Sequence, residues 1–218
     1  MFQELTTGLI EAIRTHGLLA VVAGVLIETV IVPIPSPLIL MAAGYILVPH
    51  AGLAEIGASI LTISIIAGIA QTIGSLLLYL PGYYIGKPFI QKYHKLHGVS
   101  WHEIEMFQDK FSKGKSEFFT VFMLRAVPVI PLSFVSGACG IIKMKFREYL
   151  LSTFTGVIPR NIVYASAGFL LGEFYVTVAK WFDYGETIFT ILIILLVAAY
   201  ILSKKFGIIE KLKKKVLK

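Results

Sequence analysis

Leu124 to Gly140 reads LRAVPVIPLSFVSGACG, an apolar run holding one arginine, two prolines and two glycines. Lys110, Lys113 and Lys115 precede it, and Lys143, Lys145 and Arg147 follow it. Positive charge collects on the cytoplasmic side of membrane segments, so both ends are expected there and the segment is expected to enter a membrane and turn back. Pro128 and Pro131 lack a backbone donor and clash with the carbonyl one turn earlier, which breaks a straight helix near the middle of the run. Broken backbone in a bilayer must face protein or a wet cavity, because lipid cannot pair its freed groups. The break is thus the expected lining of a site.

The surrounding composition agrees. With 56% hydrophobic and 15% charged residues and a mean hydropathy of +0.80, the 218-residue chain is too apolar for an ordinary soluble domain. It reads as an integral membrane protein. The net charge of +7 lies in lysines that flank apolar segments, in the central loop and in the tail KKFGIIEKLKKKVLK. That placement implies cytoplasmic loops and anionic lipid headgroups as partners, and no nucleic acid. The single cysteine, Cys139, excludes an intramolecular disulfide and sits among small residues. No cleavable signal is expected, since Glu4 and Glu11 stand ahead of or among the first basic residues.

In chain order, residues 1–16 suit a short surface helix, with Leu5, Leu9 and Ile13 at helical spacing. Residues 17–48 read as a first re-entrant hairpin, with Pro33, Pro35 and Pro37 near its tip. A span is expected over 56–86, stopped by Lys87 and Pro88, followed by a cytoplasmic loop over 87–115. His94, His97 and His102 in that loop have no cysteine nearby, so solvated side chains are favoured over a metal site. The second hairpin occupies 116–142, and a span over 148–171 is interrupted at Pro159 and Arg160. An acidic outer loop with Glu173, Asp183 and Glu186 leads to a span over 187–203 and a basic cytoplasmic tail over 204–218. The whole is a single polytopic domain.

The two hairpins align when offset by 96 residues, placing Pro35 on Pro131, Ala42 on Ala138 and Gly44 on Gly140. GYYIG at 82–86 is echoed by GFLLG at 168–172. A hairpin plus one span returns the chain to the opposite side, so the second unit is inverted relative to the first. The expected fold is therefore all-α, an inverted-topology repeat with two opposed re-entrant helical hairpins plus spanning helices, as in many secondary transporters. Gly44, Gly137 and Gly140, with the prolines, are expected to shape the hairpins.

Glu28 to Pro35, as E-x4-P-x-P, and Leu124 to Leu150, as L-R-x2-P-x2-P then G-x2-K-x-K-F-x2-Y-L, resemble the DedA family, also called the VTT or SNARE-associated Golgi protein superfamily. The resemblance covers residues 17–172. It implies opposed hairpins and a role in undecaprenyl phosphate recycling or phospholipid scrambling. Two positions depart from the family pattern. Pro37 stands where many members have an acid, and Ile130 and Pro131 stand where many have a second arginine, which is closer to the yeast-Golgi-protein branch.

Glu28, Arg125 and Arg160 are the charged residues this topology puts inside membrane segments, where each costs roughly 2.5 to 3.5 kcal/mol on insertion scales. Such residues pair with one another or face a cavity. An arginine suits a phosphate because its planar fork donates two parallel bonds and stays charged. Arg125 is expected to bind phosphate, with Glu28 pairing with it in the empty state and taking a proton when phosphate arrives. Arg160 can supply a second charge or bond carbonyls freed at Pro159, and Ser133 and Ser136 add polar lining. The aromatic residues are expected to face lipid or the interface. A flippase or transporter for a lipid phosphate in the plasma membrane follows, with proton coupling and homo-oligomers both compatible. The rival readings are a proton- or cation-coupled carrier of a small solute, and a scaffold in which Glu28 and Arg125 form a permanent pair. No enzyme is expected, since no nucleophile with base and orienter, metal cluster or phosphate-cradling glycine loop stands at a recognisable spacing. No cofactor is expected either.

Overall fold

The computed structural model describes residues 2–30, 36–97, 116–128 and 130–205. Pro33, Pro35, His102 and the basic tail beyond residue 205 lie outside these residues. Eight α-helices form among the described residues: α1 (Phe2–His16), α2 (Leu18–Val30), α3 (Ser36–Leu47), α4 (Leu53–His97), α5 (Ser116–Ala126), α6 (Leu132–Ile141), α7 (Phe146–Leu171) and α8 (Tyr175–Lys205). A 3-10 turn at Gly172–Phe174 links the last two. The chain turns sharply between α1 and α2 at Gly17, whose φ of 57° is free to a residue without a Cβ.

The core is built from two antiparallel crossings. At one, α3 lies against α7: a Cβ on Gly44 would collide with the Ala165 carbonyl, and one on Gly168 with the Met41 carbonyl. At the other, α6 lies against α4. A Cβ on Gly140 would collide with the Tyr79 carbonyl, and one on Gly82 would fall 2.8 Å from the Gly137 carbonyl. These crossings correspond under a shift of 96 positions from Gly44 to Gly140 in the short helices, and of 86 from Gly82 to Gly168 in the long ones. Each short helix therefore packs on the long helix of the other half. Between them α4 and α7 run antiparallel, since Ser64 meets Asn161 while Ser75 meets Tyr149. The α3 segment Leu38–Ala43 is wholly buried in one apolar cluster, and Tyr79, Cys139 and Tyr149 anchor a second.

Gly137 differs from its neighbours, because a Cβ there meets no atom within 4 Å. Gly137→Ala is expected to raise stability by up to about 1 kcal/mol, the difference in helix propensity, read as a higher unfolding temperature in detergent.

Three sequence expectations change. The apolar stretch of α4 ends at Pro88, but the helix does not: it runs to His97 with Pro81 and Pro88 inside it. Packing supplies the reason: Gly82 and Gly86 lie close against α6, which holds the turns around both prolines. Pro159 does not interrupt α7 either. Its neighbours α3, α4 and α5 bury Val157, Arg160, Asn161 and Tyr164, so tertiary contacts offset the missing backbone bond. The region expected as an acidic loop is helical: Glu173 lies in the 3-10 turn and Asp183 and Glu186 lie within α8, where no proline intervenes after Gly172. Among the described helices, Leu53–Pro88, which holds an 18-residue stretch of mean hydropathy 2.0, is long and apolar enough to cross a membrane. Leu18–Glu28, Pro37–Leu47, Leu132–Ile141 and Thr187–Ala199 are shorter apolar stretches.

Candidate functional site

The chain breaks between α5 and α6, at Val127 to Pro131, and the break exposes carbonyls that no helix bond can reach. Two of them, with the carbonyl of Leu132 in the first turn of α6, are met by side chains. The Tyr164 hydroxyl donates to the Pro128 carbonyl at 2.8 Å, Arg160 Nη1 to the Ile130 carbonyl at 2.9 Å, and Arg125 Nη1 to the Leu132 carbonyl at 3.2 Å. Arg160 thus bonds the hairpin break. Since Arg160 lies roughly 21 Å along α7 from Phe146, the break is held deep in the bundle.

Arg125 is completely buried. Its Nη2 donates to Ser136 Oγ at 2.9 Å and to Tyr149 Oη at 3.1 Å, and its guanidinium carbon stands 5.7 Å from the centre of the Tyr149 ring. Tyr149 in turn donates to Ser75 Oγ at 2.7 Å and stacks on Tyr79 at 4.1 Å between ring centres. Tyr79 is fixed by donating to the Met144 carbonyl at 2.6 Å. Three elements, α4, α6 and α7, thereby set the position of one cation. Arg125 Nε has no hydrogen-bond partner. That edge of the fork is available to an acceptor. Gly156 makes room for the side chain, since a Cβ there would lie 2.7 Å from Arg125 Cβ.

The expected site residues divide. Arg125 and Ser136 are in contact, and Arg160 meets the same hairpin break from α7. Ser133 is exposed in the first turn of α6. Glu28 is half-buried in the last turns of α2, and the hydrogen bonds of Arg125 go to Leu132, Ser136 and Tyr149 rather than to it. The Arg125 donors are taken by the Leu132 carbonyl in the first turn of α6 and by two hydroxyls. Pro37 is buried at the start of α3. The tyrosines depart from expectation, since Tyr79, Tyr149 and Tyr164 are among the most buried side chains. Each has a polar partner for its hydroxyl, which is what permits burial.

Tyr149→Phe removes one hydroxyl that links Arg125 to Ser75. The variant is expected to lose about 1 to 3 kcal/mol of stability, seen as a lower unfolding temperature, because the Ser75 hydroxyl and an Arg125 donor lose a buried partner.

The model of the VTT domain matches residues 32–170. Undecaprenyl phosphate transporter A of Bacillus subtilis (strain 168) is 33% identical over 184 residues, covering 84% of this chain and 88% of that one. Uncharacterized membrane protein YkoX of the same organism is 30% identical over 204 residues, covering 93% and 86%. Transmembrane protein 41B of Xenopus tropicalis is 28% identical over 149 residues, covering 67% of this chain and 49% of that protein. No solved structure matches the chain significantly. The matched region takes in the α5 to α6 break, Arg125, Tyr149 and Arg160, and the chain belongs to the VTT domain family of membrane proteins.

Proposed function

We propose that this protein carries a lipid phosphate, a polyprenyl phosphate or a phospholipid, across the cell membrane. The observation that carries the reading is Arg125: a buried guanidinium at a break in the backbone, held by three neighbours and with Nε unpartnered. A phosphate oxygen is the acceptor that such an edge fits best. The similarity to Undecaprenyl phosphate transporter A supports the same substrate class.

The membrane arrangement belongs to this proposal. The α2 to α3 and α5 to α6 segments are two opposed re-entrant hairpins, and the equivalent glycine crossings are the packing of an inverted repeat. The C-terminus lies in the cytoplasm. The large apolar side chains exposed on α4 and α8, among them Ile73, Leu77, Ile188 and Leu195, suit contact with acyl chains. The two halves do not bind alike: the shifts that superpose them carry Arg125 onto Thr29, Ser136 onto Leu40 and Tyr149 onto Ile63. One anionic group is therefore bound at a time. Because Arg125 is shut off from solvent, the headgroup enters when the bonds at the hairpin break rearrange. Glu28 acts as a proton acceptor separate from the guanidinium, and Arg160 and Ser136 complete the lining.

The Nη bonds to the hairpin favour a second reading, a scaffold in which Arg125 only satisfies freed backbone. Purified protein in liposomes, assayed for transbilayer movement of a short polyprenyl phosphate and of a fluorescent phospholipid, separates the two. Movement that needs Arg125 supports the carrier. Absence of movement in well-folded protein supports the scaffold.

A further inference from the structure

The interface between α4 and α7 is not a dry seam. Along it, Ser64, Gln71, Thr72 and Ser75 of α4 and Tyr149, Ser152, Thr153 and Asn161 of α7 are all buried. At the end remote from Arg125, Asn161 Nδ2 donates to Gln71 Oε1 at 2.9 Å and to the Ser64 carbonyl at 3.2 Å. This uses half of each amide. Gln71 Nε2 and Asn161 Oδ1, a donor and an acceptor on adjacent side chains, have no partner, and neither is exposed. At the near end Thr153 Oγ1 and Arg125 Nε are in the same condition. Thr153 stands one turn from Tyr149 and nearly one turn from Gly156, the two α7 residues in contact with Arg125, so its hydroxyl and Nε belong to one locality.

Leaving a buried polar group unpaired costs about 1 to 3 kcal/mol, and more for a charged one, so four such atoms in one interface exceed what a marginally stable fold absorbs. The pattern of the orphans identifies what relieves them. A buried donor beside a buried acceptor is what a single water satisfies by accepting from one and donating to the other. A cation fits poorly, since Arg125 and Arg160 bring positive charge to the same interface.

We infer that the α4 to α7 interface is an internal hydration site: ordered water bridges Gln71 Nε2 and Asn161 Oδ1, and further water joins Thr153 Oγ1 to the Arg125 edge. Val157, one turn from both Asn161 and Thr153, lies between the two. The inference does not depend on lipid transport. It does say that Arg125 is reached by water through the bundle while closed to bulk solvent.

X-ray radiolytic footprinting of the reconstituted protein tests it, because bound water is split where it sits and oxidises adjacent side chains. Val157 and Tyr149 are wholly buried, and so is Met41, a far more readily oxidised residue packed among apolar neighbours. Oxidation of Val157 and Tyr149, each corrected for the intrinsic reactivity of its side chain, at several times the rate of other buried residues such as Val21 and Val25, with Met41 spared, is the expected result. Corrected rates at Val157 and Tyr149 no higher than at Val21 and Val25 overturn the inference. In Gln71→Leu/Asn161→Leu, where both amides are gone, the Val157 signal should fall severalfold while Tyr149 keeps its own. An unchanged Val157 signal in that variant would remove the amides as the holders of the water. The wild-type comparison decides the matter if the double variant fails to fold.

Discussion

Arg125→Lys is expected to lower transport of a lipid phosphate on the order of 10²-fold in protein that still elutes as a single folded species. The lysine ammonium can reach one or two of the partners that Arg125 holds, Leu132, Ser136 and Tyr149. It has no planar fork, so it cannot hold the hairpin with one edge and a phosphate with the other. Arg125→Ala removes the charge as well and leaves the Leu132 carbonyl to Ser136 alone. Its transport loss should be at least as large. If Arg125→Lys transports at the wild-type rate, a point charge is sufficient and the unpartnered Nε has no part in binding.

Gly168→Ala and Gly44→Ala are expected to cost about 3 kcal/mol each or more, and to deplete folded protein rather than alter its transport kinetics. In both cases the added methyl falls on a backbone carbonyl of the facing helix, Met41 or Ala165. No rotamer relieves a clash made by Cβ itself, so α3 and α7 must move apart along their whole crossing. Gly140→Ala should fail in the same way against Tyr79. Yields and unfolding temperatures in detergent measure this. Wild-type values for all three, beside a stabilised Gly137→Ala, would mean that the crossings are not as close as described.

Much of this was legible in the chain. The two prolines after Arg125 located the helix break, while Gly44 and Gly140, read as shaping the hairpins, stand at the close helix crossings. Glycines at a close crossing leave a trace because only one residue type fits. Arg160 was legible as a buried charge, but its partner was not, since the Ile130 carbonyl lies 30 residues away in sequence. Helix ends were misjudged wherever local signals oppose packing: Pro88 and Pro159 break helices in isolation, and here neighbouring helices hold them. Tyr149 was in view within the F-x2-Y-L motif but was not set apart from the aromatics expected mostly at lipid or the interface. Its burial follows from Ser75, 74 residues earlier. Gln71, Ser75 and Asn161 offered the one missed signal, polar residues on apolar helices, which in a membrane are costly unless they face one another.

The central claim is that Arg125 binds the phosphate of a lipid as it crosses the membrane. Proteoliposomes with wild type, Arg125→Lys and Arg125→Ala, each confirmed folded, should be compared for transbilayer movement of a short polyprenyl phosphate and the uncharged polyprenol. Movement of the phosphate by wild type alone, with polyprenol unaffected by any of the three, is the predicted result. Equal movement of the phosphate by wild type and Arg125→Ala would contradict the claim and leave Arg125 as a brace for the broken hairpin.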